Sequence, residues 1–360
     1  MVVMQNKYRC ATGLTAVLTI SAVGILSASA ASSHSKHPSK EIYRVLETWQ
    51  LGGTGGWDYL TMDVPLHRLF ITRADHVDVV DTQTGKITGS IANTSGVHGV
   101  ALAPELNRGY TSNGKASSVT EFDYTTLAVI REVPIPGQNP DAILFEPSSH
   151  RLFTFNGRSK DVTALDASTL AVIGTIKVPD KPEFAVADSH GVIYLNIESE
   201  AGQMLAIDAR TLNVTATWQL PDCASPSGLA LNREAGHLYS VCDGKTMVVT
   251  DSRSGKQVQR ISIGAGPDAA AYDAVRKLVF SSNGEGTLSV AEAASNGSYA
   301  IKQTLQTQPG ARTMALDEVS GRIYLVTADF GATPAATAEQ PHPRPAQIPN
   351  TFKVLVVGPE

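Results

Sequence analysis

Cysteine is scarce in this chain of 360 residues, which has three, and motifs that would name an activity are missing. The absence of C-x-x-C-H argues against covalently attached c-type haem. No H-E-x-x-H, G-x-S-x-G or P-loop sequence occurs either. The glycine-rich run 52–56 precedes a predicted strand, whereas a phosphate-binding loop precedes a helix, so we interpret it as a turn. No motif therefore names a substrate.

Aromatic residues are also few, at 6%, whereas Gly (30) and Pro (19) are frequent. This composition suits many short elements joined by turns. With 42% hydrophobic residues the chain can bury a large core, and β-rich folds of this length are often single domains.

The first thirty residues have the pattern of a secretory signal peptide. Lys7 and Arg9 precede the apolar run "ATGLTAVLTISAVGIL", and Ala28-Ser29-Ala30 supplies a small-x-small cleavage pattern. An uncleaved membrane anchor is the alternative, but the run is short for a span and the polar segment 31–40 follows it. We predict cleavage after Ala30, a periplasmic or secreted protein, and no stable membrane span afterwards.

Acidic residues exceed basic ones in the predicted mature chain. The full sequence has 29 Lys and Arg against 34 Asp and Glu, and the leader removes two basic residues, which leaves a net charge of −7. This charge repels nucleic acid and anionic lipid overall, so nucleic acid is not an expected partner.

The letters HRLF occur at His67 and again at His150, and they belong to a longer internal repeat. An aromatic pivot recurs at steps of 40–45 residues: Phe70, Tyr110, Phe153, Tyr194, Tyr239, Phe280 and Tyr324. An aspartate recurs at steps of 42 or 43 residues: Asp81, Asp123, Asp166, Asp208 and Asp251. We interpret the two histidines as solvated turn residues that share one local geometry.

Each repeat has the pattern of four short strands, with hairpin turns such as Asn156-Gly157 between them. A four-stranded repeat of this period is typical of a β-propeller, and seven pivots predict seven blades. The fold class is therefore all-β, with a single domain over 41–360. The last repeat lacks its fourth strand, and Tyr43–Leu51 should supply it and close the ring. A Pro- and Ala-rich insertion at 330–350 is predicted to be a loop, or else a lid over one face.

The segments "RLFITRADHVDVVDTQTGKITGSI" and "HLYSVCDGKTMVVTDSRSGKQVQRISI" resemble the YVTN-repeat, YncE-like family of exported β-propellers. They share an aromatic-led strand, a short turn, a V-x-V-x-D strand and a T-G-type turn. The resemblance extends over nearly the whole mature chain, although the sixth repeat lacks the D-x-x-T-G turn. It implies a seven-bladed fold and says little about function.

Two cysteines, Cys223 and Cys242, remain after predicted cleavage. Cys223 precedes the first strand of the fifth repeat and Cys242 ends its second strand. These positions emerge on the same face of a blade, so a disulfide is predicted in an oxidising compartment. Two free, half-buried thiols are the alternative.

The residue that opens each first strand is polar in all seven repeats. These positions are Asp58, His98, Asp141, Glu183, Ser227, Asp268 and Arg312. First strands line the channel of a propeller, so the side chains should form a ring at one mouth. The ring is either a wet channel lining or a site for a cation or polar ligand. For the site, Asp141, Glu183 and Asp268 are candidate metal ligands, Arg312 would anchor an anionic group, and Asn113, Asn156 and Asn283 could add contacts.

Two classes of function fit these patterns. The first is a non-catalytic propeller, expected to be a monomer, that binds a small polar ligand, peptide or protein through one face and the mouth of its channel. The second is a hydrolase or lactonase that uses Ca²⁺ or another divalent cation in the channel. No cofactor is predicted with more precision than this, and no catalytic residue is assigned.

Overall fold

The protein is described by a computed structural model at residues 42–294, 297–335, 337, 343 and 345–360. The predicted leader and the segment 31–40 lie outside the described residues. No helix among the described residues is long and apolar enough to cross a membrane.

Seven four-stranded antiparallel sheets make up this part of the chain, as the repeat predicts. Strand β1 (Tyr43–Gln50) precedes the first complete blade. Blade one contains β2 (Trp57–Asp63), β3 (Arg68–Arg73), β4 (His76–Asp81) and β5 (Lys86–Ile91). Blade two contains β6 (Val97–Ala103), a short 3₁₀ turn (Pro104–Leu106), β7 (Arg108–Asn113), β8 (Ser118–Asp123) and β9 (Val129–Pro134).

The next three blades repeat this order. Blade three contains β10 (Pro140–Glu146), β11 (Arg151–Asn156), β12 (Asp161–Asp166) and β13 (Val172–Lys177). Blade four contains β14 (Lys181–Ala187), β15 (Val192–Glu198), β16 (Gln203–Asp208) and β17 (Val214–Gln219). Blade five contains β18 (Pro226–Asn232), β19 (His237–Cys242), β20 (Thr246–Asp251) and β21 (Gln257–Ser262).

Blade seven is the composite one. Blade six contains β22 (Pro267–Asp273), β23 (Leu278–Asn283), β24 (Thr287–Ala293) and β25 (Tyr299–Gln306). Blade seven contains β26 (Met314–Asp317), β27 (Arg322–Thr327), β28 (Lys353–Pro359) and, outermost, β1. Strand β1 pairs antiparallel with β28, which confirms the predicted closure.

The first strands of the blades contact their neighbours in turn, and β2 contacts β26, so the ring is closed. Seven apolar clusters fill the seven interfaces between adjacent blades. All seven aromatic pivots are buried in these interfaces. Burial of one such side chain contributes about 1.5–3 kcal/mol, so the pivots are a principal reason why blades stack.

The recurrence of the HRLF segment is explained by the backbone conformation at its histidine. His67 and His150 have φ of 51° and 52°, both are exposed, and each precedes the second strand of its blade. The equivalent residue also has positive φ in the other five blades: Asn107, Gly191, Gly236, Lys277 and Gly321. The repeat thus preserves a left-handed turn there, and the residue type is secondary.

The recurring aspartates form caps between the third and fourth strands. The Oδ1 atom of Asp166 accepts hydrogen bonds from the backbone amides of Ser168 and Thr169. Asp81, Asp123, Asp208 and Asp251 make the same pair of bonds. An aspartate is suited to this position because its short side chain reaches the amides two and three residues on.

Candidate site at the channel mouth

The predicted ring residues lie where the innermost strands bulge. The register shifts between Trp57 and Leu60 in β2, and corresponding shifts interrupt β6, β10, β14, β18 and β22. Six ring residues stand at these bulges: Asp58, His98, Asp141, Glu183, Ser227 and Asp268. A bulge redirects a side chain away from the regular alternation of a strand. Proline begins four of these strands or bulges, where its missing N–H is tolerated.

The structure divides the ring into separate clusters. The first is the mouth triad, which we define as Asp58, His98 and Asp141, from blades one, two and three. One potential ligand atom from each lies within 4.8 Å of the other two. The His98 Nδ1 atom is 2.6 Å from Asp58 Oδ2 and 3.7 Å from Asp141 Oδ1. The imidazole therefore lies between two carboxylates.

Burial and charge shift the protonation of the mouth triad. Burial raises the pKa of Asp141 to about 6; the neighbouring Asp58 adds to this rise, and His98 opposes it. Burial alone lowers the pKa of His98, but its hydrogen bond to Asp58 and the charges of Asp141 and Asp58 outweigh burial and raise it. The triad is thus an acidic group with one imidazole in its centre.

The second cluster joins Glu183 to two residues outside the aligned position. Lys181 Nζ lies 2.7 Å from Glu183 Oε2 and 2.5 Å from Glu198 Oε2. Lys181 forms an ion pair with this buried Glu183 oxygen, for which the described residues supply no hydrogen bond of good geometry. Burial and the charge of Asp141 raise the pKa of Glu183 to about 8, against the opposing effect of Lys181.

The third cluster is the pair Asp268 and Arg312. Arg312 Nη1 lies 3.3 Å from Asp268 Oδ1, and the arginine side chain is 48% exposed. Burial raises the pKa of Asp268 to about 6 although Arg312 acts in the opposite direction. The three acidic residues suggested as metal ligands therefore do not form one cluster. Asp141 belongs to the mouth triad, whereas Glu183 and Asp268 each contact a cationic side chain.

Four further polar residues form hydrogen bonds that stabilise the blades. Ser227 Oγ donates to the backbone oxygen of Pro267 in blade six, at 3.2 Å, and so joins two blades. The amides of Asn113, Asn156 and Asn283 are fully buried and donate to side chains within their own blades. These asparagines stabilise the blades and are closed to a ligand.

Two aromatic rings meet one residue further along the inner strands. Tyr59 of blade one and Phe184 of blade four have ring centroids 5.2 Å apart. Burial raises the pKa of Tyr59 well above the usual tyrosine value, and the charges of Asp141 and Glu183 add to this. A small cavity of about 40 Å³ adjoins these rings.

Two larger cavities adjoin the mouth. One of about 880 Å³ lies between blades one and two and is lined by Asp58, His98, Arg73 and Lys115, among others. The other, of about 550 Å³, is lined by Arg312, Trp57 and Phe330, with Pro and Gly backbone around them. The loop that ends at Trp57 contributes to both cavities.

The predicted insertion borders the second cavity through its base. Phe330 and Gln347 form an antiparallel bridge, and the Phe330 ring lies 6.3 Å from the ring of Trp57. The described ends of the insertion are thus anchored on the same face as the channel mouth.

Some residues of this region were missed because they lie off the aligned position. They are Lys181, Glu198 and Tyr59, together with three polar residues two positions after the pivots: Ser112, Asn196 and Ser282. Each of the last three donates to a backbone oxygen of the next blade, at Asp141, Ser227 and Arg312 respectively. A polar residue within an otherwise apolar second strand is the signal that would have found them.

The two cysteines of blade five are joined. The Cys223–Cys242 bond has an S–S distance of 1.93 Å and a Cα–Cα distance of 5.1 Å. Both residues are buried, and the bond connects the loop before β18 to the end of β19.

Comparison with protein-family models and with curated proteins found no match for this chain. Among solved structures it is similar to a chain of the hydrazine synthase of Kuenenia stuttgartiensis, with a TM-score of 0.67, 15% identity, and coverage of 81% of this chain and 96% of that one. It is also similar to a chain of a mitotic checkpoint complex, with a TM-score of 0.70, 13% identity, and coverage of 93% and 98%. At these identities the similarity shows the β-propeller fold alone.

Proposed function

We propose that this protein is an exported binding propeller that takes a polar ligand at the mouth of its central channel. The observation that carries the proposal is the set of ionisable side chains that six of the seven blades place at the channel mouth, five at inner-strand bulges and Arg312 just before β26. Charges of both signs are held there beside two cavities. Concave sites with a few fixed polar groups are the usual binding sites of proteins.

The chemistry around Arg312 favours a ligand with an anionic group and an apolar part. Its guanidinium is half exposed and lines the cavity that Trp57 and Phe330 border. A guanidinium binds carboxylate or phosphate with two parallel hydrogen bonds, and the aromatic rings offer an apolar wall. A small carboxylate-bearing molecule or the carboxyl end of a peptide has both features.

Export is part of the proposal. The pattern of Lys7, Arg9 and the Ala28–Ala30 cleavage site supports it, and the Cys223–Cys242 bond is typical of oxidising compartments. The YVTN-type repeats support membership in the YncE-like exported family. The propeller neighbours include a component of a protein complex, which fits a role in protein binding in general.

A hydrolase or lactonase is the second candidate, and one observation favours it. The mouth triad offers two carboxylates and an imidazole beside a cavity of about 880 Å³. Catalytic metal sites also combine three protein ligands with an open position.

A ligand screen tests the binding proposal. Dicarboxylates, amino acids, sugar acids and short peptides are compared by their effect on the melting temperature of wild type, Arg312→Gln and the outer-strand control Arg260→Gln. We expect at least one class to raise the melting temperature of wild type and control by several degrees at 100 times its Kd, with little effect on Arg312→Gln. Binders that shift all three proteins equally would place the ligand elsewhere, and a screen without binders would overturn a small-ligand role.

A further inference from the structure

We infer that the mouth triad of Asp58, His98 and Asp141 is a binding site for a divalent transition-metal ion. This inference deepens the proposed function, because it names the ion through which the mouth would hold a polar ligand. The two can fail separately, since ligand binding is tested at Arg312 and metal binding at the triad.

The spacing of the donor atoms suits such an ion. Four tetrahedral ligands about 2.0–2.1 Å from a zinc ion lie roughly 3.3 Å apart. The His98 Nδ1 atom is 2.6 Å from one carboxylate oxygen and 3.7 Å from the other, on either side of that value. Side-chain shifts of less than about 1 Å would therefore complete the geometry.

Asp141 gives an independent reason to expect a cation. It is 8% exposed, and no hydrogen bond reaches its carboxylate from the described residues. Every other buried carboxylate in the described chain accepts at least one: Asp63, Asp78, Glu121, Glu146, Asp161, Asp273 and Asp317. A largely buried carboxylate without a direct hydrogen-bond donor is costly to ionise, and a bound cation would add to the compensation that His98 gives from 3.7 Å.

The surrounding residues hold the donors in place. A Cβ on Gly114 would lie 2.5 Å from His98 Nε2, so the far edge of the imidazole packs against this glycine and Nδ1 faces the carboxylates. Ser112 Oγ donates to the backbone oxygen of Asp141 and accepts from the backbone amide of Gly99. One hydroxyl thus ties the bulge that carries His98 to the bulge that carries Asp141.

The donor set also selects the class of metal. Two carboxylate oxygens and one imidazole nitrogen suit Zn²⁺ or Mn²⁺, whereas Ca²⁺ prefers oxygen ligands alone. Asp58 and His98 line the cavity of about 880 Å³, so the remaining coordination positions would face open space. Water or an anionic group of a ligand can reach the ion there.

The test uses the mature chain freed of metal with a chelator. Zn²⁺ is titrated by calorimetry, bound metal is counted by elemental analysis, and Co²⁺ is added because its visible absorption reports the coordination sphere. We expect one equivalent in wild type, an affinity on the order of 100-fold lower in His98→Ala and Asp141→Asn, and a smaller loss in Gly114→Ala. The exposed-histidine control His190→Ala and the ligand-site variant Arg312→Gln should bind as wild type does.

Two outcomes would overturn the inference. Wild type that takes up no Zn²⁺ or Co²⁺ would mean that protonated His98 alone balances the two carboxylates. Uptake that His98→Ala leaves unchanged would place the metal elsewhere. Circular dichroism and melting curves establish that each variant is folded, and the conservative Asp58→Asn provides a third ligand variant if one of the others is not.

Discussion

Tyr59 of blade one and Phe184 of blade four meet across the channel with their ring centroids 5.2 Å apart, although blades two and three lie between them along the chain. This contact joins opposite sides of the ring, whereas the fully buried members of each apolar cluster come from neighbouring blades. The two rings adjoin Asp58 and Glu183 along their strands, so apolar surface lies next to the charged mouth. Apolar surroundings raise the cost of ionising a carboxyl group.

We predict that Phe184→Ala lowers the free energy of unfolding by roughly 3 kcal/mol, at the low end for a phenylalanine because the side chain is only half-buried. The loss of the cross-channel contact is the reason. Urea unfolding measures it, with Tyr59→Phe as a control that keeps both rings. A loss below about 1 kcal/mol would show that the contact adds little to the ring.

The pH dependence of stability should change in Glu183→Gln. The folded pKa of Glu183, about 8, lies above its unfolded value of about 4.3, so the fold loses stability as pH rises between these values. Glutamine cannot ionise, and the variant should therefore gain stability relative to wild type between pH 5 and pH 8. Melting temperatures in chelator across this range measure the gain, and the exposed Glu318→Gln should show none. A difference that does not vary with pH would contradict the assigned shift.

The closing strand should be sensitive at Tyr43. This residue is 1% exposed and packs edge-on against Phe280 at 5.2 Å, and the Gln303 side chain bonds to its backbone on both sides. We predict that Tyr43→Ala costs on the order of 3 kcal/mol and increases amide exchange in β28 and β1 first. Arg44→Ala, next to it on the exposed side, is the control. Uniform exchange across all blades would contradict local opening of the clasp.

The disulfide is expected to stabilise the fold and to be intact in the exported protein. The Cys223→Ser/Cys242→Ser variant should lose about 3 kcal/mol, since the bond closes a loop with a sequence separation of 19 residues. Reduction converts the disulfide to two thiols, so the intact masses of protein from the native source, measured with and without reductant, should differ by two hydrogen atoms. Two alkylatable thiols in that protein would count against export.

The architecture could be predicted from the sequence because the recurring residues that reveal the repeat are required by turns within each blade. A left-handed turn before each second strand and an aspartate cap after each third strand restrict residue choice at fixed spacing. The channel-mouth ring was also predictable as a set of positions, because strand alternation and blade order suffice to align Asp58 with Asp268. These rules act within one repeat.

The grouping within the ring could not be predicted, because it depends on contacts between repeats. Lys181 stands two residues before the aligned Glu183 and contacts its carboxyl group, and Glu198 comes from the neighbouring strand. Alignment of the repeats gives no distance between Asp58 and His98. Each residue stands at a bulge in its strand, and Asp58 Oδ2 lies 2.6 Å from His98 Nδ1. The asparagines at the strand ends looked available for the same reason, since their partners lie on strands that the alignment treats separately.

The pairing of β1 with β28 also has a kinetic consequence. Tyr43 and Pro359 are partners, so strands from the two ends of the described propeller must meet to complete blade seven. Until β28 is available, β1 has no partner for its hydrogen-bonding edge, and an unpaired edge can recruit another chain. Closing so long a loop is also slow. The late completion of blade seven therefore leaves the edge of β1 exposed during folding, and the duration of this exposure should govern how much of the protein aggregates.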